Sequence, residues 1–157
     1  MSDARRLSIA EPARTPRLDL VLGWAATLPL VAAAVAPWAL GEAGGAIRAA
    51  IAYGAPLLAF LGGVRRGLSF RTEGGPTRGQ VAMALTLFGL ALVGLFAALS
   101  GAPGAGLLAL TTGFALCLAL DPPAARRGEA PPYFARLRPP QMSVAVAALG
   151  ALVPFAL

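Results

Sequence analysis

The sequence predicts an all-α fold, a polytopic transmembrane helix bundle of five spans with the N-terminus inside and the C-terminus outside. Composition is the first observation behind this reading. Hydrophobic residues make up 57% of the 157 positions and charged residues 13%, with a mean hydropathy of +0.72, well outside the range of soluble domains. The second is segmentation: five apolar runs approach the roughly 20 residues needed to cross a hydrocarbon core of about 30 Å, and the charges lie between them. The third is charge sidedness. With the chain start in the cytoplasm, the inside segments hold Arg5, Arg6, Arg14 and Arg17, then Arg65, Arg66, Arg71 and Arg78, then Arg126, Arg127, Arg136 and Arg138, leaving Arg48 outside. The positive-inside rule asks for such a bias, and four or six spans would scramble it.

The same features exclude several function classes. The net charge of +6 comes from arginines placed between apolar runs. They do not form a basic stripe interleaved with aromatics, so nucleic acid is not an expected partner. Anionic headgroups on the cytoplasmic face of a bacterial inner membrane are the expected one. With no histidine in the chain, His-ligated haem and His-containing zinc sites are excluded, and no cofactor or metal is expected. The single cysteine, Cys117, lies in an apolar run and reads as a small hydrophobe.

Taken in order, residues 1–17 read as a mobile polar tail. Thr15 reads as an N-cap with Pro16 at the first helical position. The first span covers 20–40. A cleaved signal peptide is the rival reading, with Ala34-Val35-Ala36 as the cleavage site, but Pro37 follows directly and the apolar run is too long. The second span, 49–64, is short. Arg48 and Arg65 stand at its ends where they can snorkel to the interfaces, and Pro56 is expected to kink it and free the Ala52 carbonyl. A re-entrant loop is the alternative.

Within Tyr53–Gly67 the small residues Ala55, Ala59, Gly63 and Gly67 recur every four positions, which predicts a flat inward stripe for close helix packing. Gly62-Gly63 with Gly67 is not read as a phosphate loop, since no strand precedes it and no GKS or GKT follows. Residues 71–80, RTEGGPTRGQ, form a polar turn that ends in a Thr77–Gln80 capping box. The third span is 81–99. A tight turn from Ser100 to Gly104 then makes a hairpin with the fourth span, 104–120, which Asp121-Pro122-Pro123 is expected to stop. Ala109, Gly113, Cys117 and Asp121 share its inward face. The loop 121–140 reads as an interfacial anchor, with Tyr133, Phe134 and Leu137 at the membrane surface and the arginines toward headgroups. The fifth span is 142–157, where Pro154 is tolerable so near the end.

Two stretches, YGAPLLAFLGGVRRG at Tyr53–Gly67 and DPPAARRGEAPPYFARLRPP at Asp121–Pro140, resemble the membrane-protein family called domain of unknown function 3429, and through it the transmembrane protein 69 family of animal mitochondria. The resemblance covers residues 18–157 and implies a multi-pass inner-membrane protein. It supplies no catalytic residues. The family pattern often carries His-Trp after the paired glycines, where this chain has Arg65-Arg66, so a metal or haem role for that histidine does not carry over.

The residues singled out as structural or functional are Tyr53, Pro56, Gly62, Gly63, Arg65, Arg66, Gly67, Asp121, Tyr133 and Arg138. Asp121 is expected to pair with Arg65 or Arg66 at one membrane face, as a clamp or as an element of a proton or ion relay. A serine or cysteine nucleophile has no histidine partner, and Asp19 is the only remote second carboxylate for aspartyl chemistry. The expectation is a non-enzymatic accessory or assembly subunit of a larger inner-membrane complex, with lipids, other membrane proteins or a second copy as partners. The alternative is a small oligomeric transporter or channel, because Pro29, Pro56 and Pro154 are placed to break helices.

Overall fold

A computed structural model describes residues 14–157. The expected polar tail therefore lies outside the described residues except for its last four positions, and Arg17 already opens the first helix. The described chain is helical from end to end: α1 (Arg17–Ala25), α2 (Leu28–Leu40), α3 (Ala43–Phe70), α4 (Arg78–Leu99), α5 (Pro103–Arg126) and α6 (Phe134–Leu152), closed by a 3₁₀ turn at Val153–Phe155. Among the described residues four helical stretches are long and apolar enough to cross a membrane: Arg17–Leu40, which joins α1 and α2, then Ala43–Phe70, Arg78–Leu99 and Pro103–Arg126.

Short links make successive stretches antiparallel. One end of the bundle gathers the N-termini of α1, α4 and α6 with the C-termini of α3 and α5. Asp19 and Tyr133 meet there. At the other end Trp38 packs edge-on against Phe155, 5.4 Å between ring centres.

The first span is not one helix. Pro29 has no N–H to offer the Ala25 carbonyl and cannot continue a helix that already contains that turn. The chain re-forms its bonds locally: Thr27 N–H donates to the Trp24 carbonyl at 3.0 Å, and Leu30 N–H donates to Thr27 at 3.1 Å. Thr27 Oγ1 also donates to Trp24 at 2.8 Å. The start of α1 differs from the expected cap too. Pro16 is extended and occupies the cap position, with no side-chain hydrogen bond from Thr15.

The second span is far from short. α3 runs 28 residues without interruption, about 42 Å at 1.5 Å per residue, and Pro56 sits within it on the exposed side. A re-entrant loop is thereby replaced by a continuous helix. Helix α5 likewise does not stop at Asp121 but continues through Pro122 and Pro123 to Arg126. Two prolines remove the donors for Leu118 and Ala119, yet Asp121, Pro122, Ala124 and Ala125 are all buried, so packing holds the turn that hydrogen bonding does not. The same holds in α6, which passes through Pro139 and Pro140 and begins eight residues before the expected fifth span.

That extension overturns the interfacial anchor. Tyr133, Phe134 and Leu137 are buried, forming with Leu68, Ala125 and Ala130 a second apolar cluster separate from the main core. The main core is built on Leu30, Ile51, Leu58, Leu87, Leu107, Leu110, Phe114 and Leu149.

The inward stripe on α3 is corrected as well. Ala55 is buried and Ala59 half-buried, but Gly63 and Gly67 are exposed, and a Cβ on either would meet nothing within 4 Å. The reason is geometric: four residues turn 400°, so a strict four-residue row drifts about 40° per step and has left the buried face by Gly67. The face that does stay inward mixes threes and fours, through Gly54, Leu58, Leu61, Gly62, Arg65 and Leu68. Of the expected glycines Gly62 is at the interface, where a Cβ would lie 3.0 Å from the Ala84 carbonyl oxygen.

The α4–α5 hairpin forms as expected, and its closest approach is at Gly94 and Gly106. A Cβ on Gly106 would stand 2.7 Å from the Gly94 carbonyl oxygen. The capping box also forms: Gln80 N–H donates to Thr77 Oγ1 at 3.2 Å while Thr77 N–H donates to Gln80 Oε1 at 3.0 Å. Gln80 Nε2 then reaches Thr72 Oγ1 at 2.9 Å, which seals the turn beneath α4.

Candidate functional site

Among the described residues, charge is buried at one place. Asp121 on α5 is 3% exposed and Arg65 on α3 is 8% exposed. Helical spacing puts both on inward faces, Arg65 three residues after Gly62 and Asp121 four after Cys117, and each lies in the last turns of its helix. Arg65 Nη2 donates to Asp121 Oδ1. The other carboxylate oxygen, Oδ2, faces Arg138 Nε of α6 at 3.4 Å. One aspartate thus joins three helices, and the cluster carries one net positive charge. Burying an ion is costly unless partners replace the lost water, and here each carboxylate oxygen has a guanidinium.

The surroundings keep the cluster dry and oriented. The Arg138 guanidinium lies 4.4 Å over the Phe134 ring, and Phe134 packs edge-on against Tyr133 at 5.2 Å. Tyr133 in turn donates to Asp19 Oδ2 at 2.7 Å, which ties the start of α1 to the start of α6.

Of the ten residues singled out in the sequence, the structure brings Arg65, Asp121, Arg138 and Tyr133 to this end of the bundle. Arg66 lies at the same end but stays out of the ion cluster. Its Nη1 donates to Ser69 Oγ at 2.8 Å, and its guanidinium stacks 3.9 Å over Phe70. Gly62 serves the α3–α4 contact, while Pro56, Gly63 and Gly67 line the outer side of α3.

Tyr53 has a separate task. Its hydroxyl crosses from α3 to donate to the Ala26 carbonyl at 3.0 Å, at the break where Leu30 N–H has turned to Thr27 instead. Tyr53→Phe is expected to lower the stability of the detergent-purified chain by about 1 kcal/mol, the usual effect of losing one part-buried hydrogen bond. Thermal unfolding read by circular dichroism checks this, and an unchanged midpoint would mean the carbonyl finds water.

Sequence reasoning paired Asp121 with one arginine and missed the second, and it left Gln141 unremarked. Gln141 follows Arg138 by three positions and so shares its face; that spacing was the available signal. Among the described residues no three His, Cys, Asp or Glu side chains gather as a metal site.

No curated protein and no solved structure matches the chain. The family described as a protein of unknown function (DUF3429) matches residues 15–154, and the chain belongs to that family.

Proposed function

We propose that the chain is a five-span protein of a bacterial inner membrane, N-terminus in the cytoplasm and C-terminus outside, that acts without catalysing a reaction, as an accessory or assembly subunit of a larger membrane complex. Two features support the topology. Helix α6 with its 3₁₀ turn runs from the arginine-rich end of the bundle to the opposite end and serves as the fifth span. The arginine-rich end holds Arg14, Arg17, Arg65, Arg66, Arg71, Arg78, Arg126, Arg127, Arg136 and Arg138, against Arg48 at the other, and anionic headgroups of the cytoplasmic leaflet suit it.

The observation that carries the functional reading is the contrast between two outer faces. The outer face of α4 is bulky, with Leu85, Phe88, Val93, Phe96 and Leu99 exposed, as suits disordered lipid chains. The outer face of α3 presents Ala49, Ala52, Pro56, Gly63 and Gly67 around one large side chain, Phe60, and the small positions beside that ring let another helix backbone come close. A protein partner gains contact there that lipid does not.

Combining Gly63→Leu with Gly67→Leu tests this. The variant is expected to fold and melt like the parent, because both positions open onto empty space. In native gels and in crosslinking within its own membrane it is expected to lose the larger complex. A monomer in both proteins, or a complex unaffected by the two leucines, refutes the reading.

A further inference from the structure

A cavity of about 290 Å³ lies between α1, α3, α5 and α6, near the lower bound of the roughly 300–1,000 Å³ typical of small-molecule sites. It adjoins the charge cluster, with Arg138 in the shared wall. Asp19, Tyr133, Arg138 and Gln141 supply polar groups, and most of the remaining lining, including Leu57 and Phe114, is apolar. Asp19 and Tyr133 engage each other. Gln141 is different: it is 2% exposed, and its Nε2 has no hydrogen-bond partner. Arg138 Nε, which faces Asp121 Oδ2 at 3.4 Å, also lacks hydrogen-bond geometry to any acceptor.

Buried donors without acceptors are uncommon in folded proteins, and each one calls for an explanation. Gly23 makes room for this one, since a Cβ there would overlap the Gln141 amide. The chain thus seats a buried amide donor in the wall of a largely apolar cavity. Phe60, part of the lining, is 66% exposed, so the cavity reaches the outer surface of the bundle.

We propose that this cavity binds a membrane-borne molecule with a long apolar body and a carbonyl-type oxygen at one end, the oxygen accepting a hydrogen bond from Gln141 Nε2 beside Arg138 and the body lying along Leu57 and Phe114. A water molecule would satisfy the amide but leaves the apolar remainder of the cavity unfilled. The acyl esters of glycerolipids and the isoprenoid quinones share the required chemistry. The site does not depend on a protein partner at α3.

Native mass spectrometry of the full chain released from its own membrane reads the retained mass. One adduct is expected, with the mass of either a glycerolipid or an isoprenoid quinone, and the mass separates the two sources. Gln141→Leu removes the donor and is expected to lower the retained fraction about tenfold, a difference of about 1.4 kcal/mol in binding. Leu57→Trp fills the body of the cavity, leaves Gln141 in place and is expected to do the same. Leu85→Phe, on the outer face of α4, is expected to retain the adduct. A chain that carries no adduct, or an adduct that survives either of the first two substitutions in a folded variant, overturns the proposal.

Discussion

Asp121→Asn is expected to destabilise the detergent-purified chain by about 3–5 kcal/mol, the range for breaking a buried ion pair by removing one partner. The carboxylate balances two guanidinium groups in a place with little water. Neutralising it leaves Arg65, 8% exposed, and Arg138 facing each other without a counter-charge. Arg65→Gln is expected to cost less than Asp121→Asn, because Arg138 still neutralises the aspartate from 3.4 Å. Arg138→Gln is expected to cost least, since the Arg65 contact remains. Removing all three charges together, as Arg65→Leu, Asp121→Leu and Arg138→Met, is expected to restore most of the loss, because apolar side chains of similar volume need no counter-charge.

A double-mutant cycle separates this clamp from a helix end that merely faces water. Asp121→Asn and Arg65→Gln are expected to couple strongly. Asp121→Asn and Arg66→Gln are expected to add, since Arg66 bonds Ser69 and stacks on Phe70. Additive losses in both cycles would refute the clamp.

How much of this was legible in the sequence depended on whether the signal was local. The helical class followed from composition and run length. The capping box at Thr77–Gln80 and the tight α4–α5 turn are local, and both formed as read. The Asp121–Arg65 pairing was legible because alternating topology puts the ends of the second and fourth spans at the same membrane face. The errors at α5 and α6 share one cause, which is that tertiary packing overrode a local rule. Pro122-Pro123 and Pro139-Pro140 normally end helices, yet burial of Pro122, Ala125, Leu137 and Gln141 carries the helices through. Tyr133 and Phe134 looked like interface aromatics because their neighbours are arginines and prolines, and only the packing of α6 on α3 and α5 turns them inward. The break at Thr27 was missed because the apolar run is continuous across it. Pro29 was its signal, and the Tyr53 bond from α3 was the part that no local pattern carries.

The glycines give the other large effect, and its sign differs from position to position. Gly106→Ala is expected to destabilise the chain by about 1–3 kcal/mol, the range for overpacking a close contact. Its new methyl would stand 2.7 Å from the Gly94 carbonyl oxygen, a backbone atom that cannot swing aside as a side chain does. Relief requires α4 and α5 to separate, which loosens Leu110 and the contacts beside it. Gly63→Ala is expected to be neutral or to stabilise by up to about 1 kcal/mol, because its methyl meets nothing within 4 Å and alanine is the better helix former. The two substitutions are chemically identical and both lie inside helices, so propensity alone predicts equal gains and only the packing separates them. Paired thermal melts in the same detergent decide the matter. If Gly63→Ala proves the more damaging of the two, the outward orientation of this part of α3 is wrong, and with it the proposed partner-facing surface.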